Sequence, residues 1–278
     1  MEIERQLSRR DFLRVAGRAT AASFLAMGGA ESPESEYTWP PEVKTRFDTD
    51  EPYFALTIDD GWNAETLSQM LDVMRTEGMH ATFFLIGNAA EIAEIKKPGI
   101  LKRVVDEGHT IGYHSMDHGE EAGIDGLAEK GQSWWGEDYE KWVDTMGSLL
   151  GQNYFNKGVR PYARAPYGLF TRQFIKMCLS KNLKLYGWTD DPSTLEKGDI
   201  VLIHVNQRGL DYIRNLGEYS GGLLQPVTID RLEGDPDNLA AVDDRSCRLQ
   251  ENSESKEMTE EEYLHHKMRR VNRKPFAY

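Results

Sequence analysis

From about residue 53 onward, short apolar runs alternate with longer segments in which apolar residues recur at helical spacing. In residues 64–77, for example, Leu67, Met70, Leu71 and Met74 fall on one helical face. The apolar runs predict strands at 53–58, 80–86, 109–113, 160–164, 183–188, 200–205 and 225–229. The periodic segments predict helices at 64–77, 100–107, 137–150, 171–180 and 210–217, with the start of the second placed as early as Asn88. Because such alternation is typical of parallel βα units, the sequence predicts an α/β fold, a distorted or incomplete (β/α) barrel of about seven parallel strands.

The two ends of the chain differ from this middle part. Residues 8–13 read SRRDFL, the pattern of a twin-arginine export signal, and an Ala- and Gly-rich stretch follows that is too short to span a bilayer. We therefore predict a signal peptide at 1–30, a Pro-containing linker at 31–50, the folded domain at 51–233 and a charged, partly disordered tail at 234–278. A basic amphipathic helix is the alternative interpretation of the N-terminus.

Composition and net charge limit the classes of molecule that the protein is expected to bind. The chain is 39% hydrophobic, enough for a sizeable core, and its net charge is −13 at pH 7. This balance argues against a nucleic-acid partner, because little here would neutralise phosphates. We expect an exported monomer with no membrane span after processing. Its two cysteines, Cys178 and Cys247, permit a disulfide in such a location but do not require one.

Side chains capable of catalysis follow the predicted strands, at the ends where functional residues of a βα barrel gather. In chain order they are Asp59 and Asp60, His114 and His118, Arg164, Asp190 and Asp191, and His204. Each group alone has an ordinary explanation: Asp-Asp-Gly suits a turn, His-x-x-x-His suits a solvated helix face, and a histidine after an apolar run is often part of the core. Their recurrence at strand ends of one polarity favours an active site.

These residues lie in five ordered motifs: TIDDG at 57–61, HSMDH at 114–118, RAPY at 164–167, WTDD at 188–191 and LIH at 202–204. In this order they resemble the signature of the polysaccharide deacetylases of the NodB-homology type, carbohydrate esterase family 4. The resemblance covers roughly residues 50–232. It implies a divalent metal ion, Zn²⁺ first with Co²⁺ or Mn²⁺ as alternatives, held by Asp60, His114 and His118. Two imidazoles and a carboxylate suit an ion that keeps open positions.

The resemblance also implies the catalytic roles. Asp59 is the general base and Arg164 orients it. The backbone N–H of Tyr167 is an oxyanion donor, and His204 is the general acid. The fourth motif departs from the family pattern, because it lacks the second Asp that tunes the acid histidine; Asp191 or Asp190 is the candidate to replace it.

Substrate contacts are predicted at Trp135, Trp188 and Pro166, since flat apolar faces suit pyranose rings. The function implied is hydrolysis of N-acetyl groups on an amino-sugar polysaccharide such as peptidoglycan or a chitin-like polymer. Exopolysaccharide and O-acetylated xylan stay open as substrates. Two alternatives are a catalytically silent member that binds cell-wall glycan, and a hydrolase of small-molecule amides or O-acetyl groups on the same fold.

Overall fold

The computed structural model describes residues 42–119, 123–189 and 195–234. The predicted export signal, the first part of the predicted linker, Asp190, Asp191, Cys247 and the predicted tail beyond Gly234 therefore lie outside the described residues.

Within these ranges, seven parallel strands form one curled sheet, an open half-barrel, which confirms the predicted fold class. The strands are β1 (Tyr53–Asp60), β2 (Thr82–Leu85), β3 (Thr110–Tyr113), β4 (Val159–Ala163), β5 (Lys184–Leu185), β6 (Ile200–His204) and β7 (Gln225–Val227). Their order is β5-β4-β3-β2-β1-β6, and β7 pairs with the beginning of β1. Because all strands run in one direction, their carboxyl ends share one edge of the sheet.

Helices cover the strands, and several depart from the predicted bounds. They are α1 (Ala64–Glu77), α2 (Gly87–Lys96), α3 (Ile100–Asp106), α4 (Gly123–Ala128), α5 (Gln132–Leu150), α6 (Gln152–Gly158), α7 (Arg172–Ser180), α8 (Gln207–Arg214), α9 (Leu216–Tyr219) and α10 (Ile229–Glu233). The sequence does not separate α2 from α3, because the residues that α2 buries are small: Gly87, Ala89, Ala90 and Ala93. Close packing of small residues leaves no strong apolar period in the sequence.

The chain turns sharply where β1 ends, and this turn fixes the position of the two acids. Gly61 has φ 110°, a conformation that favours glycine. The Asn63 side chain then accepts a hydrogen bond from the Thr66 N–H at 3.0 Å and caps α1. The helix buries the predicted face of Leu67, Met70, Leu71 and Met74 against the sheet.

Residues 42–50 were predicted as part of a linker, but the structure places them in the folded domain. The Lys44 N–H donates to the Leu185 carbonyl at 3.0 Å, and the Lys44 carbonyl accepts from the Gly187 N–H at 2.9 Å. Further along, the Phe47 N–H donates to the Gly198 carbonyl at 2.7 Å, and the Phe47 side chain is buried. This segment thus satisfies backbone groups beside β5 and before β6 that would otherwise be unpaired.

The end of α10 is bound to the same region through Glu233. Its carboxylate accepts hydrogen bonds from Lys44 at 2.9 Å, from Lys184 at 2.5 Å and from the Tyr186 hydroxyl at 2.9 Å. Burial acts to raise the pKa of Glu233, but these donors outweigh it and lower the pKa from 4.5 to about 2.

A Glu233→Gln variant is therefore expected to be less stable than the wild type at neutral pH and to lose less stability on acidification. The lowered pKa means that the contribution of Glu233 is complete above about pH 4.5 and is lost as the pH falls through about 2. Chemical denaturation of both proteins between pH 7 and pH 2 measures this. A stability difference that stays constant across that range would contradict the assignment.

None of the helices among the described residues is both long and apolar enough to cross a bilayer. Cys178 is buried in α7. Burial raises the pKa of its thiol far above the ordinary value, which makes it unreactive.

Candidate active site

Asp59 and Asp60 end β1, and both carboxylates face the same histidine. The distance from His114 Nε2 is 3.6 Å to Asp59 Oδ2 and 3.7 Å to Asp60 Oδ1. Successive side chains of a regular strand point to opposite faces, so this convergence needs a break in the strand. Asp60 supplies it with φ 78°, a left-handed conformation that is uncommon for a residue other than glycine. Its carbonyl accepts from the Ile86 N–H at 3.0 Å, which helps to hold that conformation.

The two histidines follow β3 in a turn rather than on a helix face. His118 Nε2 lies 3.8 Å from Asp60 Oδ1, so both imidazoles approach the same carboxylate oxygen. Ser115 and His118 have φ of 67° and 58°. The Ser115 hydroxyl oxygen accepts from the His118 N–H at 2.8 Å, which closes the turn.

One hydrogen bond fixes the tautomer of His114. Its Nδ1 lies 2.9 Å from the Arg164 carbonyl oxygen, which can only accept. Nδ1 therefore carries a hydrogen, and Nε2 is the ring nitrogen that faces the two carboxylates. This is the arrangement that orients an imidazole for ligation of a metal ion.

The residues present fit a divalent metal ion. Ligand atoms of Asp60, His114 and His118 lie within 4.8 Å of one another. Asp60 Oδ1 is buried and has no hydrogen-bond partner in the part of the chain that the structure describes. Burial raises the pKa of Asp60, and burial followed by the proximity of His114 lowers the pKa of His118 to about 3. A buried carboxylate oxygen beside two imidazoles is stabilised by a cation, and a nitrogen and oxygen donor set of this kind suits Zn²⁺.

Arg164 pairs with the other acid. It is fully buried after β4, and its Nη1 donates to Asp59 Oδ1 and to Thr57 Oγ1, both at 2.8 Å. Nη2 donates to the Gly187 carbonyl at 2.6 Å and Nε to the Tyr186 carbonyl at 3.2 Å. The guanidinium thus has partners in several directions, and it holds one oxygen of Asp59 while Oδ2 faces His114.

His204, Pro166 and Tyr167 lie at the same edge of the sheet. His204 ends β6 directly beside Asp59 in the strand register and is half-buried. Pro166 is buried at the start of a short turn, and Tyr167 has φ 56°. The Tyr167 ring is half-exposed, with its centroid 4.3 Å from that of His118.

The sequence profile of the polysaccharide deacetylase family matches residues 46–186, just over half of the chain. The chain belongs to this family. A peptidoglycan-N-acetylglucosamine deacetylase of Bacillus cereus is 33% identical over 137 residues, which cover 49% of this chain and 44% of that protein. A chitooligosaccharide deacetylase of Sinorhizobium fredii is 27% identical over 175 residues, which cover 57% of this chain and 74% of that protein.

A crystal structure of a peptidoglycan N-acetylglucosamine deacetylase shares the fold, with a TM-score of 0.56 at 23% identity. The match covers 68% of this chain and 91% of that one. The chain spans less than half the length of the Bacillus cereus relative.

The predicted aromatic contacts divide into two cases. Trp188 is partly exposed, with its ring centroid 5.9 Å from the Arg164 guanidinium, so it lies beside the site. The prediction for Trp135 is wrong. Trp135 belongs to α5 rather than to a loop, is 1% exposed, and packs edge-to-face on Phe174 with centroids 4.9 Å apart. A tryptophan on the apolar face of a helix contributes to the core, and it cannot present a flat face to a sugar ring.

Sequence reasoning missed two polar residues that support the site of this family member. Thr57 links Arg164 to the sheet, since its hydroxyl accepts from Arg164 and donates to the Val201 carbonyl at 2.6 Å. Asp138 on α5 accepts from the N–H of Met116, between the two histidines. The available signal was a polar residue at an apolar position: Thr57 within a buried strand, and Asp138 between Trp135 and Trp142 on one helical face.

Proposed function

We propose that this chain is a metal-dependent hydrolase that removes N-acetyl groups from an N-acetylated amino-sugar polysaccharide, peptidoglycan or a chitin-like polymer. The observation that carries the proposal is the pairing of buried Asp59 with buried Arg164, directly beside the cluster of Asp60, His114 and His118. Relatives named for peptidoglycan and chitooligosaccharide deacetylation support the choice of substrate class.

Asp60, His114 and His118 would hold the ion, with Zn²⁺ the first candidate and Co²⁺ or Mn²⁺ the alternatives. When bound, such an ion acts as a Lewis acid that polarises a carbonyl oxygen and makes water more acidic. The cluster also places this charge next to Asp59, so the repulsion between adjacent carboxylates is relieved.

The remaining steps belong to side chains of the protein. Asp59, with Oδ2 directed into the site, accepts a proton from the attacking water while Arg164 keeps the carboxylate oriented. Water adds to the acetyl carbonyl, and the backbone N–H of Tyr167 stabilises the developing oxyanion. His204 donates a proton to the departing amine as the C–N bond breaks, which leaves acetate and a free amino sugar. Asp191 is the proposed partner of His204.

A metal-supplemented assay of acetate release across peptidoglycan, chitooligosaccharides and acetylxylan tests the proposal. We expect release from at least one N-acetylated polymer and loss of release after chelation. Binding of glycan without release would favour a silent binding member, and release from small amides alone would favour the small-molecule alternative. Release that persists in full after exhaustive chelation would contradict metal dependence.

We further propose that the chain is exported through its N-terminal twin-arginine pattern and acts as a monomer outside the cytoplasm. Fractionation of cells that express the full chain tests export, and sedimentation of the purified protein tests the oligomeric state. Recovery of all the protein in the cytoplasm would contradict export.

A further inference from the structure

The two histidines of the candidate metal site lie on one short segment, residues 114–119, called the histidine loop below. Its conformation is strained, because Ser115 and His118 both have φ in the left-handed region. Such conformations cost free energy and persist only where the surroundings hold them. The contacts that hold the histidine loop therefore bear directly on whether the two imidazoles converge.

Backbone groups of α2 hold one side of the histidine loop. The Gly87 N–H donates to the Ser115 carbonyl at 3.0 Å, and the Asn88 N–H donates to the Met116 carbonyl at 2.8 Å. These are N–H groups of the first turn of a helix, which have no partner within the helix itself.

The side chain of Asp138, on α5, also binds the histidine loop. The Met116 N–H donates to Asp138 Oδ1 at 3.1 Å and to Oδ2 at 3.2 Å. The Tyr113 hydroxyl, at the end of β3 and immediately before His114, also donates to Asp138 Oδ1. The carboxylate thus binds the chain on both sides of His114. The backbone of Met116 is hydrogen-bonded through both its N–H and its carbonyl.

The same face of α5 also contacts the strand beside the acids. Trp142, four residues after Asp138, donates through Nε1 to the Leu85 carbonyl at 2.8 Å. Leu85 ends β2 and pairs in register with Asp60 on one side and with Tyr113 on the other. Helix α5 therefore carries two polar side chains near the site: Asp138 binds the segment that bears both histidines, and Trp142 binds the end of β2, the strand between that segment and β1.

Burying the carboxylate of Asp138 costs desolvation free energy, and a role in packing alone would not explain that cost. It is 6% exposed, on a helix face otherwise made of Trp135, Trp142 and Met146. Burial raises the pKa of Asp138 to about 6, while the hydrogen bonds from Tyr113 and Met116 oppose that shift. An apolar residue would fill the same space without this desolvation cost, so the carboxylate is explained by what it accepts.

We propose that Asp138 is a positioning residue for the candidate metal site, holding the histidine loop in the conformation in which His114 and His118 converge on Asp60. The inference rests on the proposed function, in that it assumes that these three residues ligate a divalent ion. Asp138 itself is neither a ligand nor a catalytic residue, and it acts through the backbone of Met116.

The test compares Zn²⁺ binding by the wild type and by Asp138→Ala in the full chain at pH 7.5, where the carboxyl is ionised. Competition with a chelator gives the affinity, and melting with and without Zn²⁺ gives the stabilisation that the ion provides. We expect the affinity of Asp138→Ala to fall by about 10–100-fold, the usual effect of removing a residue that supports metal ligands. The increase in melting temperature on adding Zn²⁺ should shrink accordingly.

A matched variant separates positioning from a general loss of stability. Asp230 is a fully buried carboxylate that also accepts from a tyrosine hydroxyl, that of Tyr162, and from Arg160 Nε at 3.2 Å, and it lies on α10 rather than beside the histidine loop. Asp230→Ala is expected to lower the melting temperature of the metal-free protein and to leave Zn²⁺ affinity unchanged. Asp138→Ala should differ from it in affinity and in the Zn²⁺-dependent increment of melting temperature.

Two milder variants cover the case in which Asp138→Ala does not fold. Asp138→Asn keeps the size and one acceptor, and should lose about fivefold in Zn²⁺ affinity, the equivalent of one hydrogen bond. Tyr113→Phe should shift affinity in the same direction, whereas Tyr162→Phe should not.

The outcomes distinguish this inference from the proposed function. If the wild type binds none of Zn²⁺, Co²⁺ and Mn²⁺, the proposed function and the inference both fall. If the wild type binds Zn²⁺ and His114→Ala does not, while every Asp138 variant that folds binds within twofold of the wild type, only the role of Asp138 is overturned.

Discussion

Replacement of His114 or His118 by alanine is expected to remove both metal retention and deacetylation. Two remaining protein ligands hold a divalent ion poorly, since affinity depends on ligand number and geometry. Loss of His114 should have the larger effect, because its Nδ1 also binds the Arg164 carbonyl and so connects β3 to β4. Metal analysis of the purified variants, together with acetate release, measures both effects.

A histidine outside the site provides the control for this comparison. His80 is partly buried and precedes β2, at the opposite end of that strand from the candidate ligands. His80→Ala is expected to keep full metal content and activity even if its melting temperature falls. Full metal occupancy in both His114→Ala and His118→Ala would show that the ligand assignment is wrong.

The sequence predicted which residues meet because the rule behind that prediction is topological. β1, β3, β4 and β6 are parallel, so Asp60, His114, Arg164 and His204 reach one edge of the sheet whatever the details of packing. Their proximity follows from strand polarity and from the placement of a polar residue at each strand end. Their chemical roles stay predictions, and Asp191 lies outside the described residues.

Features that depend on backbone conformation or on distant contacts were not predictable in this way. The left-handed φ of Asp60 turns its carboxylate toward the same histidine as Asp59, and nothing in TIDDG alone signals that geometry. The segment around Lys44 has polar side chains, and these predict a linker. Its pairing with the sheet uses backbone groups, and backbone pairing does not change the hydropathy pattern of a sequence. The prediction for Trp135 was wrong because Gly131 and Gly136 are typical of a loop, whereas α5 already begins at Gln132.

Replacement of Asp59 by asparagine is expected to leave the metal ion bound and to lower the deacetylation rate by about 10²–10⁴, the usual cost of losing a general base. The amide would keep the shape of the side chain but could not accept a proton from water. Asp60→Asn should behave differently, since it weakens a ligand to the ion and leaves Asp59 paired with Arg164. High Zn²⁺ or Co²⁺ should therefore partly restore Asp60→Asn and leave Asp59→Asn unchanged.

The rate has to be separated from stability, because Asp59→Asn leaves the buried Arg164 guanidinium without its charged partner. Breaking such a pair costs on the order of 3–5 kcal/mol, so rates should be compared at a temperature at which melting curves show each variant to be folded. Asp72→Asn, which removes a surface carboxylate on α1, controls for the change in net charge and should retain the wild-type rate. Deacetylation rate against metal concentration then decides the assignment. Rescue of Asp59→Asn by metal would mean that the two roles are reversed, and full activity in both site variants would mean that TIDDG is only a turn.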